Sequence, residues 1–229
     1  MFHVLDNPVW ESLTGPHAQF AERRGRVARY RADISPFAAF ESEPSTGDWR
    51  DLAELAGPAA GLGVMGMPAA PPAGWEHQLI GPGVQMVAEG PLPPPLAGEV
   101  RPVRLGDDDV PEMLDLVART KPGPFLPRTI ELGAYLGIRV DRQLVAMAGE
   151  RLHPPGWTEI SAVCTDPSWR GHGFARQLML TLAEQIRARG ENPFLHAVAA
   201  NPAVALYEKL GFRHRGSTSF TLLRTPVAG

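Results

Sequence analysis

The middle of this chain is rich in proline. Ten prolines fall within the 45 residues of 58–102, and they are densest in 91–95. Successive prolines fix φ and remove backbone N–H donors, so this run is typical of an extended connector. We therefore predict an N-terminal domain at 1–90, a linker at 91–98 and a C-terminal domain at 99–229.

Charge and composition exclude several classes of protein. The 229 residues carry 22 basic and 25 acidic side chains, a net charge of −3, which argues against a general nucleic-acid binder. A single cysteine excludes an internal disulfide and a multi-cysteine metal site. The N-terminal residues lack a secretory signal, and no apolar run is long enough to span a membrane. We expect a cytoplasmic protein, a monomer or homodimer, without a metal and without membrane or nucleic-acid partners.

Hydrophobic patterning predicts an α/β fold. The N-terminal part is weakly patterned: a strand within 27–40, a short helix capped by Asp48 at 49–55, and strands at 62–67 and 79–88 are expected. The C-terminal part predicts a mixed sheet flanked by helices. Its strands are expected at 100–105, 135–140, 143–152, 157–165, 194–199 and 212–224, and its helices at 110–119, where Asp109 and Glu112 form a capping box, at 174–189 and at 203–210.

The strongest chemical signal is the turn at 170–175, Arg-Gly-His-Gly-Phe-Ala, between a predicted strand and a long helix. Such a junction offers free backbone N–H groups at the positive end of a helix, which favours an anion. Gly171 and Gly173 would let the backbone approach a phosphate closely. The alternative is an ordinary glycine-rich helix start.

This turn resembles the R/Q-x-x-G-x-G/A signature of the GNAT acetyltransferase superfamily. The segment 201–212 is similar to that family's N-x-x-A-x-x-L-Y-x-x-x-G-F pattern, although the gap from Asn201 to Ala203 is one residue shorter than usual. The resemblance covers about 99–225 and implies a GNAT domain that binds acetyl-coenzyme A. The residues it assigns to the cosubstrate are Val163, Cys164 and Thr165 for pantetheine, Arg170, Gly171, His172, Gly173, Phe174 and Ala175 for pyrophosphate, and Asn201.

The residues Ala-Gly-Glu-Arg at 148–151 and Glu-Ile-Ser-Ala-Val-Cys-Thr at 159–165 most resemble those of bacterial proteins similar to glycine N-acyltransferases. In that subgroup a degenerate GNAT-like half often precedes the active one. The resemblance therefore implies that 1–90 is a smaller, degenerate α/β half.

Two residues are candidates for moving protons. Glu159 lies on the strand that enters the turn, where histone-acetylating members of the family carry a general base, and a carboxylate there could deprotonate an acceptor amine. The alternative is a solvated strand glutamate. Tyr207, which in the family points at the sulfur, could return a proton to the departing thiolate. The alternative is a core tyrosine.

Glu159 is also expected to pair with Glu150. A turn centred between Pro154 and Pro155 would place the two glutamates opposite each other on adjacent strands, where one pKa should rise. A turn centred one residue away would place them on opposite faces. Alternatively, Arg151 or Arg142 could neutralise the pair.

Phe125 and Arg128 are expected to bind the acceptor. They belong to the loop 121–128, which falls where GNAT proteins shape the acceptor pocket, and an arginine suits a carboxylate on the acceptor.

Other candidate residues have simpler interpretations. Cys164 is expected to be a buried apolar residue and His196 a hydrogen-bonded core histidine, although His196 could serve as a second base. Arg176 could reach the phosphates or be solvated. Asp107 to Asp109 are expected to form a solvated turn. The letters G-x-G-x-x-G at 61–66 are followed by prolines, so no dinucleotide-binding helix can begin there.

The sequence thus predicts an acetyl-coenzyme A-dependent N-acetyltransferase that acts on a primary amine of a small molecule or peptide. The alternative is a coenzyme A-binding sensor or scaffold without turnover, since binding needs only the turn. A third hypothesis is that the protein is an interaction module whose binding surface lies in 1–90. No motif identifies the acceptor.

Overall fold

The computed structural model describes residues 3–66, 70–94 and 101–227. In these segments the chain forms five α-helices and eleven strands. The helices are α1 (Pro8–Thr14), α2 (Thr46–Ala56), α3 (Val110–Thr120), α4 (Phe174–Ala188) and α5 (Ala203–Lys209). The strands are β1 (Ala21–Arg24), β2 (Val27–Tyr30), β3 (Ala38–Phe40), β4 (Gly61–Met65), β5 (Glu76–Val87), β6 (Val103–Arg104), β7 (Tyr135–Val140), β8 (Gln143–Glu150), β9 (Trp157–Thr165), β10 (Asn192–Val198) and β11 (Arg213–Arg224).

The strands form two sheets, and the larger one is mixed. A small antiparallel sheet has the order β1-β2-β3, and an eight-stranded sheet has the order β4-β11-β5-β10-β9-β8-β7-β6. Strand β10 is parallel to β9, whereas the other pairs of the large sheet are antiparallel. This confirms the predicted mixed α/β fold flanked by helices.

Strand β5 lies between β10 and β11, so strands from both sides of the proline-rich run belong to one sheet. Strand β4 completes this edge by pairing with β11. The domain division at 91–98 stays a prediction; 95–98 lie outside the described residues, and the sheet is continuous across this division.

Helices cover both faces of the large sheet. Helix α4 packs on one face, where Leu195 and Ala197 join its core cluster. Their neighbour Phe194 points to the other face and packs with the N-terminal residues around α1. Helix α3 covers a second part of that other face and buries Cys164, whose pKa is raised by burial. The site described below therefore has the α4 core behind it and N-terminal residues in front of it.

Local predictions in the second half of the chain agree closely with the structure. Strands β7 and β9 have the predicted bounds, and the final strand 213–224 is continuous. Of the strand expected at 100–105, only Val103–Arg104 pairs, and residue 100 lies outside the described segments. The G-x-G-x-x-G letters fall in β4, so no helix begins there.

Neither Asp48 nor Asp109 caps its helix in the way that the sequence predicts. The N-cap of α2 is Ser45, whose side chain accepts from the Asp48 N–H, while Asp48 accepts from the Ser45 N–H. Asp109 makes no side-chain cap to α3, because its carboxylate accepts from the N–H of Gly106 and pairs with Arg139. In each case a competing local hydrogen bond is made, which residue identity alone does not reveal.

Candidate active site

The site begins where two parallel strands separate. Strands β9 and β10 pair only from Trp157 to Glu159, opposite Asn192 to Phe194. Beyond this point β9 continues beside β8 and β10 continues beside β5, so a cleft opens between them. A cavity of about 800 Å³ fills this cleft.

A β-bulge turns the backbone of β9 towards this cavity. Ala162 and Val163 stand opposite the single residue Ala148 of β8, and Ala162 adopts a left-handed φ of +52°. A bulge leaves ladder groups of the strand unpaired, here at the wall of the cavity. Residues 160–165 all line it, including the predicted pantetheine residues Val163, Cys164 and Thr165.

The predicted phosphate turn lies at the beginning of α4. Gly171 and Gly173 have φ values of +85° and +78°, which only glycine adopts at low cost. Helix α4 has no side-chain cap at its N-terminus, so its first N–H groups are available to a ligand. The buried Nε of Arg176, in the first turn of the helix, has no hydrogen-bond partner among residues 3–66, 70–94 and 101–227. These features fit a phosphate group.

The cosubstrate residues predicted from the resemblance divide into two groups. Arg170, Ala175 and Asn201 line the cavity together with the bulge. Gly171, His172, Gly173 and Phe174 are not among its lining residues; the rings of His172 and Phe174 stack with centroids 5.6 Å apart, and Phe174 is buried in the α4 core. The Asn201 side-chain oxygen accepts from the N–H of Ala203 at 2.9 Å and so holds the beginning of α5.

Tyr207 on α5 lines the same cavity and is 7% exposed. In the part of the chain that the structure describes, its hydroxyl makes no hydrogen bond. Burial raises the pKa of Tyr207 to about 12. The group is therefore a neutral phenol at physiological pH, and its O–H can be donated to a ligand in the cavity.

Glu159 is fully buried, and both of its carboxylate oxygens are engaged. Arg151 donates from Nε and Nη2 to the two oxygens at 2.7 Å, and His196 Nδ1 lies 2.7 Å from Oε1. Burial alone would raise the pKa of Glu159, but the charge and hydrogen bonds of Arg151, with the imidazole of His196, lower it to about 2. Glu159 is thus an ionised partner of a buried guanidinium.

The expected pair of Glu150 with Glu159 was wrong. The turn between β8 and β9 centres on Pro155, so Glu150 stands opposite Ile160 and Arg151 hydrogen-bonds to Glu159 across the strands. The carboxylate of Glu150 lies on the other face, where it accepts from the Ala134 N–H at 3.1 Å and from Arg189 at 2.9 Å. The pKa increase expected for one member of the pair does not occur at Glu159, whose pKa is lowered because Arg151 and not Glu150 is its neighbour.

His196 is a fully hydrogen-bonded histidine. Because an ionised carboxylate can only accept, Nδ1 carries the proton that is donated to Glu159. Nε2 then accepts from the Gln85 side-chain amide at 2.9 Å. The expectation of a hydrogen-bonded core histidine describes this geometry.

The two residues expected to bind the acceptor do not reach the cavity. Loop residues 121–124 line it. Phe125 is buried under α3, edge-on to Tyr135. Arg128 donates to Glu131 at 2.5 and 2.8 Å and to Asp33 at 2.8 Å, so its fork already holds two carboxylates of this chain.

Sequence reasoning named Arg151 only as a group that could neutralise the Glu150–Glu159 pair, and it missed the N-terminal residues Phe37 and Val64; all three line the cavity. The bond of Arg151 to Glu159 follows once the turn is centred half a residue later, on Pro155. No local signal marks Phe37 or Val64, because they reach the cavity through long-range packing.

The whole chain is similar to a solved protein from Novosphingobium aromaticivorans DSM 12444 that is described as an acetyltransferase of the GNAT family. The two share 40% identity over 99% of this chain and 100% of the other, with a TM-score of 0.87. The chain belongs to the GNAT family. The model of the FR47-like protein family matches residues 135–221 of this GNAT protein.

More distant structures share the fold. A GCN5-related N-acetyltransferase from Kribbella flavida is 14% identical over 96% of both chains, with a TM-score of 0.59. A GCN5-related N-acetyltransferase-like protein from Streptococcus suis is 17% identical, covering 93% of this chain and 91% of its own, with a TM-score of 0.55. No curated protein matches the chain.

No helix of the described segments is long and apolar enough to cross a membrane. The same segments contain no group of three or more His, Cys, Asp or Glu side chains that could hold a metal ion.

Proposed function

We propose that this GNAT protein transfers the acetyl group of acetyl-coenzyme A to the primary amine of a small molecule or peptide. The observation that carries the proposal is the cavity between β9 and β10, which is lined by Ala162 of the bulge, by Arg170 and Ala175 at the two ends of the glycine turn, and by Tyr207. In the reaction the amine nitrogen attacks the thioester carbonyl carbon, the C–S bond breaks and coenzyme A leaves as a thiolate. The amine loses one proton.

The cosubstrate would lie along the bulge and the turn. Backbone groups of 163–165 would hold the pantetheine arm, and the N–H groups of 170–175 would hold the pyrophosphate. The free Nε of Arg176 gives this end of α4 a further donor beside the helix terminus.

Tyr207 would stabilise the leaving group. Its hydroxyl is not used within the described residues, and with a pKa of about 12 it stays protonated. It can therefore donate a hydrogen bond to the departing sulfur as negative charge develops there.

Glu159 would act through His196 and not by accepting the proton itself. Its pKa of about 2 makes the carboxylate a poor base near neutral pH, and Arg151 encloses it. The imidazole Nε2 of His196 now accepts a hydrogen bond from the Gln85 amide. Once the acceptor amine takes the place of that amide, Nε2 can accept the amine proton, while Nδ1–H keeps its hydrogen bond to Glu159. This arrangement stabilises the imidazolium that forms.

The test combines binding and turnover. We expect the purified protein to bind acetyl-coenzyme A in calorimetry and to release free thiol only when an amine from a mixed panel is present, with the acetylated amine found by mass spectrometry. Binding without thioester consumption would instead support the coenzyme A-binding sensor or scaffold. Absence of binding would reject both.

A further inference from the structure

A second cavity of about 770 Å³ lies on the N-terminal side of the large sheet. Its floor comes from β5, β10 and β11, and its other walls come from three N-terminal segments, 5–9, 38–42 and 64–66. A volume of this size suits a small-molecule ligand.

Two residues line both cavities. His196 and Val64 face the cavity between β9 and β10 and also face the second cavity. His196 and Val64 therefore form part of the boundary between the second cavity and the cavity that would hold the thioester. His196 is also the group that the proposed function assigns to the proton.

The second cavity is polar near His196. Arg215 donates to the Gln85 side-chain oxygen at 2.7 Å and to Asp6 at 2.6 Å, and the Gln85 amide donates to His196. Glu41, Ser42, Ser217 and Thr218 lie in the same walls. Gln85 already places an N–H donor against His196 Nε2, which is the position that an acceptor amine would take.

Coenzyme A is a large cosubstrate that would occupy much of the cavity between β9 and β10, so the acceptor needs separate room. We propose that the second cavity is the acceptor site, that its ligand is a small, polar primary amine, and that this amine reaches the thioester past His196 and Val64. Enclosure by three N-terminal segments favours a small molecule over a protein side chain. This inference rests on the proposed function.

The test fills the second cavity and leaves the first unchanged. Ser217 is an exposed wall residue of β11 whose side chain makes no hydrogen bond to the described residues, so Ser217→Phe adds a ring there without breaking one. Ser219→Phe, two residues along the same strand, is the matched control because Ser219 lines neither cavity. Circular dichroism would verify the fold of both variants. The panel contains small polar amines and lysine-bearing peptides.

We expect Ser217→Phe to raise the KM for the small amines at least tenfold, with the Kd of acetyl-coenzyme A in calorimetry unchanged, and Ser219→Phe to leave both constants near those of wild type. An unchanged amine KM in Ser217→Phe, a matching loss of acetyl-coenzyme A affinity, or acetylation of the peptides in preference to the small amines would each overturn the second-cavity proposal and leave the proposed function standing. No acetylation of any amine by the wild-type protein would overturn the proposed function, and this inference with it.

Discussion

Two opposing effects act on the carboxylate of Glu159. Full burial disfavours its charge, whereas the bidentate bond from Arg151 favours it strongly enough to lower the pKa to about 2. The carboxylate is therefore kept ionised mainly by Arg151, with a smaller contribution from His196. The same bond is what makes Arg151, a buried cation, tolerable in the interior.

Glu159→Gln should destabilise the protein by about 3–5 kcal/mol at pH 7, because it leaves a buried guanidinium without its counter-charge. In the folded protein the pKa of Glu159 lies below its ordinary value of 4.5, so between pH 4.5 and about 2 the unfolded chain binds more protons than the folded one. The stabilisation by the Arg151–Glu159 pair is therefore complete above pH 4.5 and is lost as the pH falls towards 2.

Urea unfolding at several pH values would measure the difference in unfolding free energy between wild type and Glu159→Gln. This difference should become smaller below pH 4.5. Glu208→Gln, at an exposed position of α5, is the control and should change stability by less than about 0.5 kcal/mol. A Glu159→Gln protein as stable as wild type at pH 7 would contradict the prediction.

Tyr207→Phe should lower kcat by roughly 10²-fold, because it removes the only atom of this side chain that can donate to the sulfur. The KM for acetyl-coenzyme A should stay near its wild-type value. Tyr30→Phe is a useful comparison: it removes a buried hydrogen bond to His17 outside the cavity and should lower Tm without changing kcat. Equal kcat values for wild type and Tyr207→Phe would rule out this role.

At the scale of elements, the site depends on two backbone irregularities, the bulge in β9 and the glycine turn before α4. Residues of the bulge line the cavity, as do Arg170 and Ala175 at the two ends of the turn, and left-handed φ values occur at Ala162, Gly171 and Gly173. A bulge and an uncapped helix start each leave backbone groups unpaired. Backbone groups recognise phosphate and amide features that all acyl-coenzyme A molecules share, so these elements would fix the cosubstrate class and leave the acceptor to other residues.

Gly171→Ala should weaken acetyl-coenzyme A binding at least tenfold. Gly190→Ala is a matched control, since both glycines have φ near +80° and neither added Cβ would meet an atom within 4 Å. Both variants should lose about 1–2 kcal/mol of stability through the left-handed backbone, but only Gly171 lies in the turn. Calorimetry would compare the affinities, and a similar loss in both variants would show that strain alone is responsible.

The sequence predicts elements better than it predicts their partners. The bounds of β7 and β9 follow from alternating apolar residues and flanking turns, which are local signals. The partner of Glu159 depends on whether the turn centres on Pro155 or beside it, a difference of half a residue that residue types do not encode. Helix α1 was missed although Asn7-Pro8 is a typical helix start. The N-terminal walls of both cavities depend on packing between distant segments.

For the whole molecule, the large sheet joins the two parts of the chain. Strand β5 supplies the antiparallel partner of both β10 and β11, and β4 closes the edge beyond them. Through this long-range pairing, β4 and β5 of the N-terminal part belong to the same scaffold as the strands that hold the candidate site.

A chain truncated to 99–229 should therefore fail to unfold cooperatively, because β10 and β11 would each lose their pairing with β5 and would expose unpaired edges. Thermal unfolding followed by circular dichroism, with the full chain as reference, would measure this. A sharp transition with well-dispersed NMR signals for 99–229 alone would contradict the expectation and support an independent C-terminal domain.

The place of β5 in the sheet also has a consequence during translation. The ribosome completes β5 and must then add roughly 100 residues before β10 is made, which at about 5–20 residues per second takes roughly 5–20 s. During this interval the nascent chain carries a twelve-residue strand, with Leu79 and Ile80 still exposed in the finished fold, that has neither of its final partners. We expect holding chaperones to bind this segment during synthesis. Their binding should end when β11, the last strand to leave the ribosome, pairs with β5.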